Sequence, residues 1–268
     1  MKKIIILSLL LLAPQAQSEA ELSFKDNGMI VTLSAMKAIV PPTNVTVLEP
    51  HEQKLMQFSA ISVNALFDHL FGKSWQKNEQ VLFTANDGYQ SSIPVKTFLE
   101  HNSFLAYKKT NRTNFQIINY LQNKEQAQLG PFYLIWDNIN KSKDLFPASL
   151  WPYQIIAIEF VTFAEKFPKV SPPASSDAPT KRGFVVFKNF CMNCHSINGN
   201  GGKKMIDLNY PINVTEYMKE EQLKKLIRNP ISVSPYRRMP AFPNVENREQ
   251  QIDDLIAYLK TMAAHKLK

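Results

Sequence analysis

Cysteine is nearly absent: the 268 residues hold two, Cys191 and Cys194, with only Met192 and Asn193 between them. A disulfide framework is therefore excluded, because small exported folds held by bridges need several pairs. No second Cys/His pair at ligand spacing accompanies them and no H-E-x-x-H is present, which removes the common zinc patterns. The segment also lacks the strand-then-helix setting of a thioredoxin-like redox pair. Long apolar runs are missing beyond Ile4–Leu12, too short to span a bilayer, so no transmembrane helix is expected once that segment is removed. Lysine and arginine are not concentrated in any run despite a formal net charge of +8, which argues against nucleic acid. Ser34-Ala35-Met36-Lys37 fits S-x-x-K, but no S-D-N or K-T-G follows. His51, His69 and His101 are scattered, and Asp87, Tyr89, Trp136 and Trp151 read as turn or core residues rather than catalytic ones.

What is present begins with a leader. Lys2 and Lys3 precede the apolar run, and Ala13, Ala16, Ser18 and Ala20 follow it; residues 1–18 read as a secretory signal peptide, with no lipoprotein cysteine behind it. Removal of Lys2 and Lys3 lowers the formal charge from +8 to +6. Such a surface suits an acidic partner, and equally a plain solvated exterior. Asn44-Val45-Thr46, Asn111-Arg112-Thr113 and Asn213-Val214-Thr215 fit the glycosylation pattern, which would be incidental if the chain is bacterial.

Residues 20–167 read as mixed α and β. Strands are expected at 29–33, 44–48, 80–84, 104–107, 132–136 and 153–163, and helices at 61–71, with Ser62 as N-cap and Gly72 as stop, and at 92–99, entered through Pro94. Asn86-Asp87-Gly88-Tyr89 is a turn. Residues 168–176, rich in Pro and Ser, read as an interdomain linker. Residues 177–268 read as all-α, with helices from Asp177 toward Phe190, over 216–228 and over 248–263.

The strongest pattern is Cys191-Met192-Asn193-Cys194-His195. In C-x-x-C-H the two thiols form thioethers with the vinyl groups of one haem, and the imidazole falls under the iron. The helix before the motif delivers both thiols one turn apart, and Gly199, Gly201 and Gly202 let the chain turn tightly beyond it. Phe187 is expected to meet Tyr258.

Residues 177–265 resemble class I cytochrome c. The resemblance rests on Gly183-Phe184-Val185-Val186-Phe187, the C-x-x-C-H motif, the glycines after it, a middle helix ending Arg228-Asn229-Pro230, Arg238-Met239-Pro240-Ala241-Phe242, and a closing helix. It implies one covalent haem c, with His195 and Met239 as axial ligands, and one-electron transfer at six-coordinate iron. Met192, Met205, Met218, Met262 and His265 are weaker candidates for the distal position. Arg237 and Arg238 are candidates to pair with haem propionates.

Residues 44–163 resemble the molybdopterin-binding fold of sulfite-oxidase-type enzymes. The carriers are Val45-Thr46-Val47 before Glu49-Pro50-His51, then Thr84 to Tyr89 with Ser91-Ser92-Ile93-Pro94, Gly130-Pro131-Phe132, and the strand after Leu150-Trp151-Pro152. The resemblance implies a mixed sheet with helices. In that family a cysteine thiolate binds molybdenum, and here both cysteines belong to the haem motif, so molybdopterin is not expected. The reading is an α+β domain joined to an all-α cytochrome c domain: a periplasmic mono-haem carrier between a dehydrogenase, an oxidase or another cytochrome, whose first domain docks or scaffolds. The alternatives are a molybdenum-cofactor oxidoreductase with the haem as electron outlet, and a redox sensor or binding module.

Overall fold

The structure, a computed structural model, describes residues 19–139, 141 and 147–267. The segment read as a signal peptide lies outside the described residues. The chain has an amino-terminal mixed α/β part and a carboxy-terminal helical part.

The first part is built on two sheets. The five-stranded sheet runs, in spatial order, Met29–Thr32, Glu21–Phe24, Ile155–Val161, Gln80–Ala85 and Gln90–Pro94. Its one parallel pairing joins Glu21–Phe24 to Ile155–Val161, so the beginning and end of this part lie side by side. The four-stranded sheet orders Tyr133–Trp136, Ser103–Lys109, Lys54–Ser62 and Thr43–Glu49, antiparallel throughout. Aromatic side chains fill the space between elements: Phe24, Phe58, Phe67, Trp75, Phe83, Phe98, Tyr133 and Trp136 are all buried. A small hairpin, Gln116–Asn119 with Glu125–Gln128, stands apart from both sheets.

Strand alternation explains how the sheet serves two cores. On Gln80–Ala85, Val81 and Phe83 face the aromatic core, while Leu82 points to the other side and joins the core of the helical part. Val161 does the same at the end of its strand.

The expected strand and helix positions need several corrections. The helix expected over 61–71 spans Val63–Phe71, because Ile61 and Ser62 complete the strand Lys54–Ser62; Ser62 still caps it, accepting from Ala65 N at 3.4 Å. The helix expected over 92–99 is Val95–Glu100, and Gln90–Pro94 is a strand. Proline biases the residue before it to extended backbone, which suits Ile93 to a strand end.

Residues 168–176 form neither helix nor strand, yet they do not hang free. Val170 is buried in the second core, and its carbonyl accepts from Tyr258 Oη at 2.7 Å. Lys169 N donates to Asn200 Oδ1 at 2.9 Å.

In the helical part, Ala178–Phe190 starts at Asp177, whose carboxylate accepts from Thr180 N, and crosses Arg248–Ala263. At the crossing a Cβ on Gly183 would lie 1.9 Å from Asp254 O and 2.8 Å from Tyr258 Cβ, so only glycine allows this approach. Phe187 and Tyr258 meet as expected, with ring centres 5.4 Å apart. Arg182 beside the crossing forms a two-bond pair with the buried Asp254. The helix expected over 216–228 is two: Val214–Tyr217, opened by a reciprocal cap between Asn213 and Glu216, and Glu220–Arg228. Met218 and Lys219 between them are extended, so Met218 is not a helix-core residue. No helix among the described residues is long and apolar enough to cross a membrane.

Candidate haem-attachment site

The helix Ala178–Phe190 ends where the motif begins, and the backbone stays wound for one more turn. Cys194 N and His195 N both donate to Cys191 O, at 3.1 and 2.9 Å. Both thiols are free and half-buried. Burial pushes the Cys191 thiol up to about 12, with the Cys194 thiol beside it adding to the rise, and pushes the Cys194 thiol up to about 11 against the pull of Lys204, with Asp87 adding a smaller rise. Two thiols so placed would hold a haem through thioethers to its vinyl groups.

His195 is oriented by one hydrogen bond. Its Nδ1 lies 2.8 Å from Ile206 O, and a carbonyl can only accept, so Nδ1 carries the proton and the lone pair sits on Nε2. Burial lowers the imidazole's pKa, against the pull of the Ile206 carbonyl and of Asp207, which favours the neutral ring a metal requires.

The carbonyl of Ile206 is itself held by the next residue. Asp207 accepts four bonds: Ser196 Oγ at 2.8 Å, Gly199 N at 2.6 Å, and Asn209 N and Tyr210 N at 2.8 Å each. Burial raises this carboxylate's pKa, but the four donors outweigh it and the net shift is downward. The sequence reading passed over Asp207; its short side chain among loop residues with free N–H groups was the available signal.

Two glycines close the loop. A Cβ on Gly202 would sit 2.0 Å from Asn193 O, and Gly201, at φ +120°, would meet His195 O at 2.6 Å. The expectation that these glycines permit a tight turn around the motif is matched by these contacts.

Met239 lies partly buried against the same cluster that receives Cys191, Leu208 and Ile227. Phe190, adjacent to Cys191, meets Phe242 edge-on at 4.9 Å, which draws the motif and the Met239 segment together. Met192 and Met262 are buried, Met205 is exposed, and His265 Nδ1 is spent on Thr261 O at 2.9 Å. Exposed apolar side chains flank both candidate axial residues, Met205 and Ile206 beside His195, and Val233 and Tyr236 before Met239. Exposed apolar surface of this kind is what a large apolar group would cover. The thiols, the imidazole tautomer and this apolar surface fit a haem. Arg238 Nη1 is engaged by Glu125 Oε1 at 2.7 Å, a partner in the first part, and Arg237 is exposed.

The first part reaches the motif directly. The turn Asn86–Tyr89, with Gly88 at φ +85°, abuts Lys203, and Lys203 N donates to Gly88 O at 2.8 Å. Gln90 N donates to Asn193 O at 2.8 Å, and Asn193 Nδ2 donates to Tyr89 Oη at 2.8 Å. Burial raises the Tyr89 phenol, and Cys194 nearby raises it more. Lys204 Nζ pairs with Asp87 at 2.8 Å; burial disfavours its charge, but Tyr153 and Asp87 outweigh this and raise it overall. The sequence reading of Asp87 and Tyr89 as turn residues was thus incomplete, since the turn also packs on the residue between the two thiols.

Residues 180–263 match the Cytochrome c family model. Less than half of the chain is covered, and the match gives no support to the sulfite-oxidase-type resemblance of the first part. No curated protein matches the chain.

Proposed function

We propose that the protein is a periplasmic mono-haem c-type cytochrome that passes single electrons between redox partners. The haem would be held through thioethers to Cys191 and Cys194, with His195 and Met239 on the iron. The observation that carries this reading is the His195 Nδ1 to Ile206 O hydrogen bond, which leaves the lone pair on Nε2 directly after the two free thiols. The cytochrome c domain at 180–263 suggests electron transfer in its own right.

A haem bound there supplies a ferric/ferrous couple. The residues do the rest: Ile206 and Asp207 fix the imidazole, Gly201 and Gly202 let the loop close on the thiols, and the thioether of Met239 favours the reduced metal. With His195 and Met239 both serving as ligands, a haem held there would carry electrons and leave no place for substrate. For residues 20–167 we propose docking or scaffolding, on the ground that the chain's two thiols are both in the haem motif. Export rests on the reading of residues 1–18 together with the haem-attachment motif.

The absorption spectrum tests this. A sharp low-spin c-type α band on reduction, and no carbon monoxide binding, are expected. A high-spin spectrum or rapid carbon monoxide binding contradicts His/Met ligation, and stoichiometric molybdenum in elemental analysis contradicts the non-catalytic role of the first part.

A further inference from the structure

We propose that the hairpin of the first part, residues 116–128, clamps the segment that carries Met239, which makes Asn123 and Glu125 positioning residues for the distal iron ligand. The inference rests on the haem reading above. Among the described residues, Arg238, Met239 and Ala241 make no backbone hydrogen bond to the protein. The nearest ties within the helical part are Arg237 N to Ser234 O at 3.1 Å on one side and Phe242 N to Ile227 O at 3.0 Å on the other. Left to itself, such a segment has several conformations of similar energy. Two bonds to the hairpin remove that freedom: Asn123 Nδ2 donates to Pro235 O at 2.8 Å, and Arg238 Nη1 donates to Glu125 Oε1 at 2.7 Å.

The hairpin is built to hold its end still. Asn123 and Lys124 at its tip both take left-handed backbone, φ 56° and 57°, a conformation that asparagine tolerates and lysine adopts at a cost. Along its first strand Ile118 N donates to Glu52 Oε1 at 2.7 Å, and at the start of its turn Tyr120 N donates to His51 O at 3.3 Å. His51 is tied to the buried Glu49, 2.6 Å away, and Glu49 also accepts from Tyr133 Oη at 2.7 Å and from Glu52 N at 2.7 Å. A polar cluster within the first part therefore anchors the hairpin that reaches across to the Met239 segment, and the cluster needs no catalytic role to account for it.

The test uses the full-length ferric holoprotein, with imidazole as a competitor for the distal position and the sulfur-to-iron charge-transfer band as the readout. Asn123→Gly keeps the left-handed backbone and removes the donor; Glu125→Ala removes the carboxylate. In the double variant the imidazole concentration that abolishes the band should fall roughly tenfold, from the loss of one neutral and one exposed charged hydrogen bond. Arg238→Ala should reproduce the share due to Glu125→Ala, and the charge-swapped pair Glu125→Arg with Arg238→Glu should recover affinity toward wild type. Thermal midpoint and haem content serve as folding controls. Wild-type imidazole affinity in a folded double variant overturns the clamp. A wild-type ferric protein with no such band would instead overturn Met239 as ligand, and the clamp with it.

Discussion

At the scale of single residues, the site depends on a carboxylate that is not itself a ligand. Asp207 gathers the N–H groups of Gly199, Asn209 and Tyr210 and the hydroxyl of Ser196, and so fixes the carbonyl that orients His195. Asp207→Asn keeps the shape but turns one acceptor into a donor facing other donors, which should cost about 2 kcal/mol. The sign with pH follows from the lowered pKa of Asp207. Its contribution is complete above the unfolded carboxylate value, about pH 4, and is lost as the pH falls through the lower folded value. Thermal melts of wild type and variant should therefore differ most near neutrality and converge in acid; a pH-independent gap would contradict the assignment. Cys191, Cys194 and His195 were legible in the sequence because adjacent residues carry the chemistry. Asp207 was not, because its partners become apparent only once the loop has closed.

At the scale of elements, the crossing of Ala178–Phe190 over Arg248–Ala263 is the most demanding contact in the helical part. Gly183→Ala places a methyl group where Asp254 O and Tyr258 Cβ already stand, so the helices must separate. Overpacking of this kind costs about 1–3 kcal/mol or more. Lower thermal stability and lower haem incorporation are expected, whereas Val185→Ala on the exposed face should change little. Both of these helices were readable from caps and periodicity: Asp177 accepts from Thr180 N, and Ile252, Leu255, Ile256 and Leu259 form a buried stripe. The strand Lys54–Ser62 was not read, because only the half-buried cap Ser62 separates its buried run Phe58–Ile61 from the helix at Val63. The 216–228 segment misled in the opposite sense: it looks continuously helical, but the chain extends at Met218 before a second helix begins at Glu220.

At the scale of the whole molecule, the two parts are joined through the motif rather than merely tethered. Tyr89 and Asn193 lie 104 positions apart and share a hydrogen bond, and Leu82 of the first part lies in the core of the second. Contacts between side chains so distant in sequence leave no local pattern, which is why residues 168–176 read as a linker between independent units. Tyr89→Phe leaves the Asn193 amide without its acceptor, a loss of about 1–3 kcal/mol. Because that bond belongs to both parts, far-UV and Soret melts that coincide in the wild type should separate in the variant. Unchanged, coincident melts would mean that the seam contributes nothing.

Intact-mass measurement of the denatured protein decides whether Cys191 and Cys194 carry one haem covalently. After expression in a bacterial host able to mature c-type cytochromes, the exported chain should retain the mass of one haem through denaturation, and the Cys191→Ala, Cys194→Ala double variant should retain none. A wild-type chain that lacks the haem mass and takes up alkylating reagent on both thiols would contradict the account.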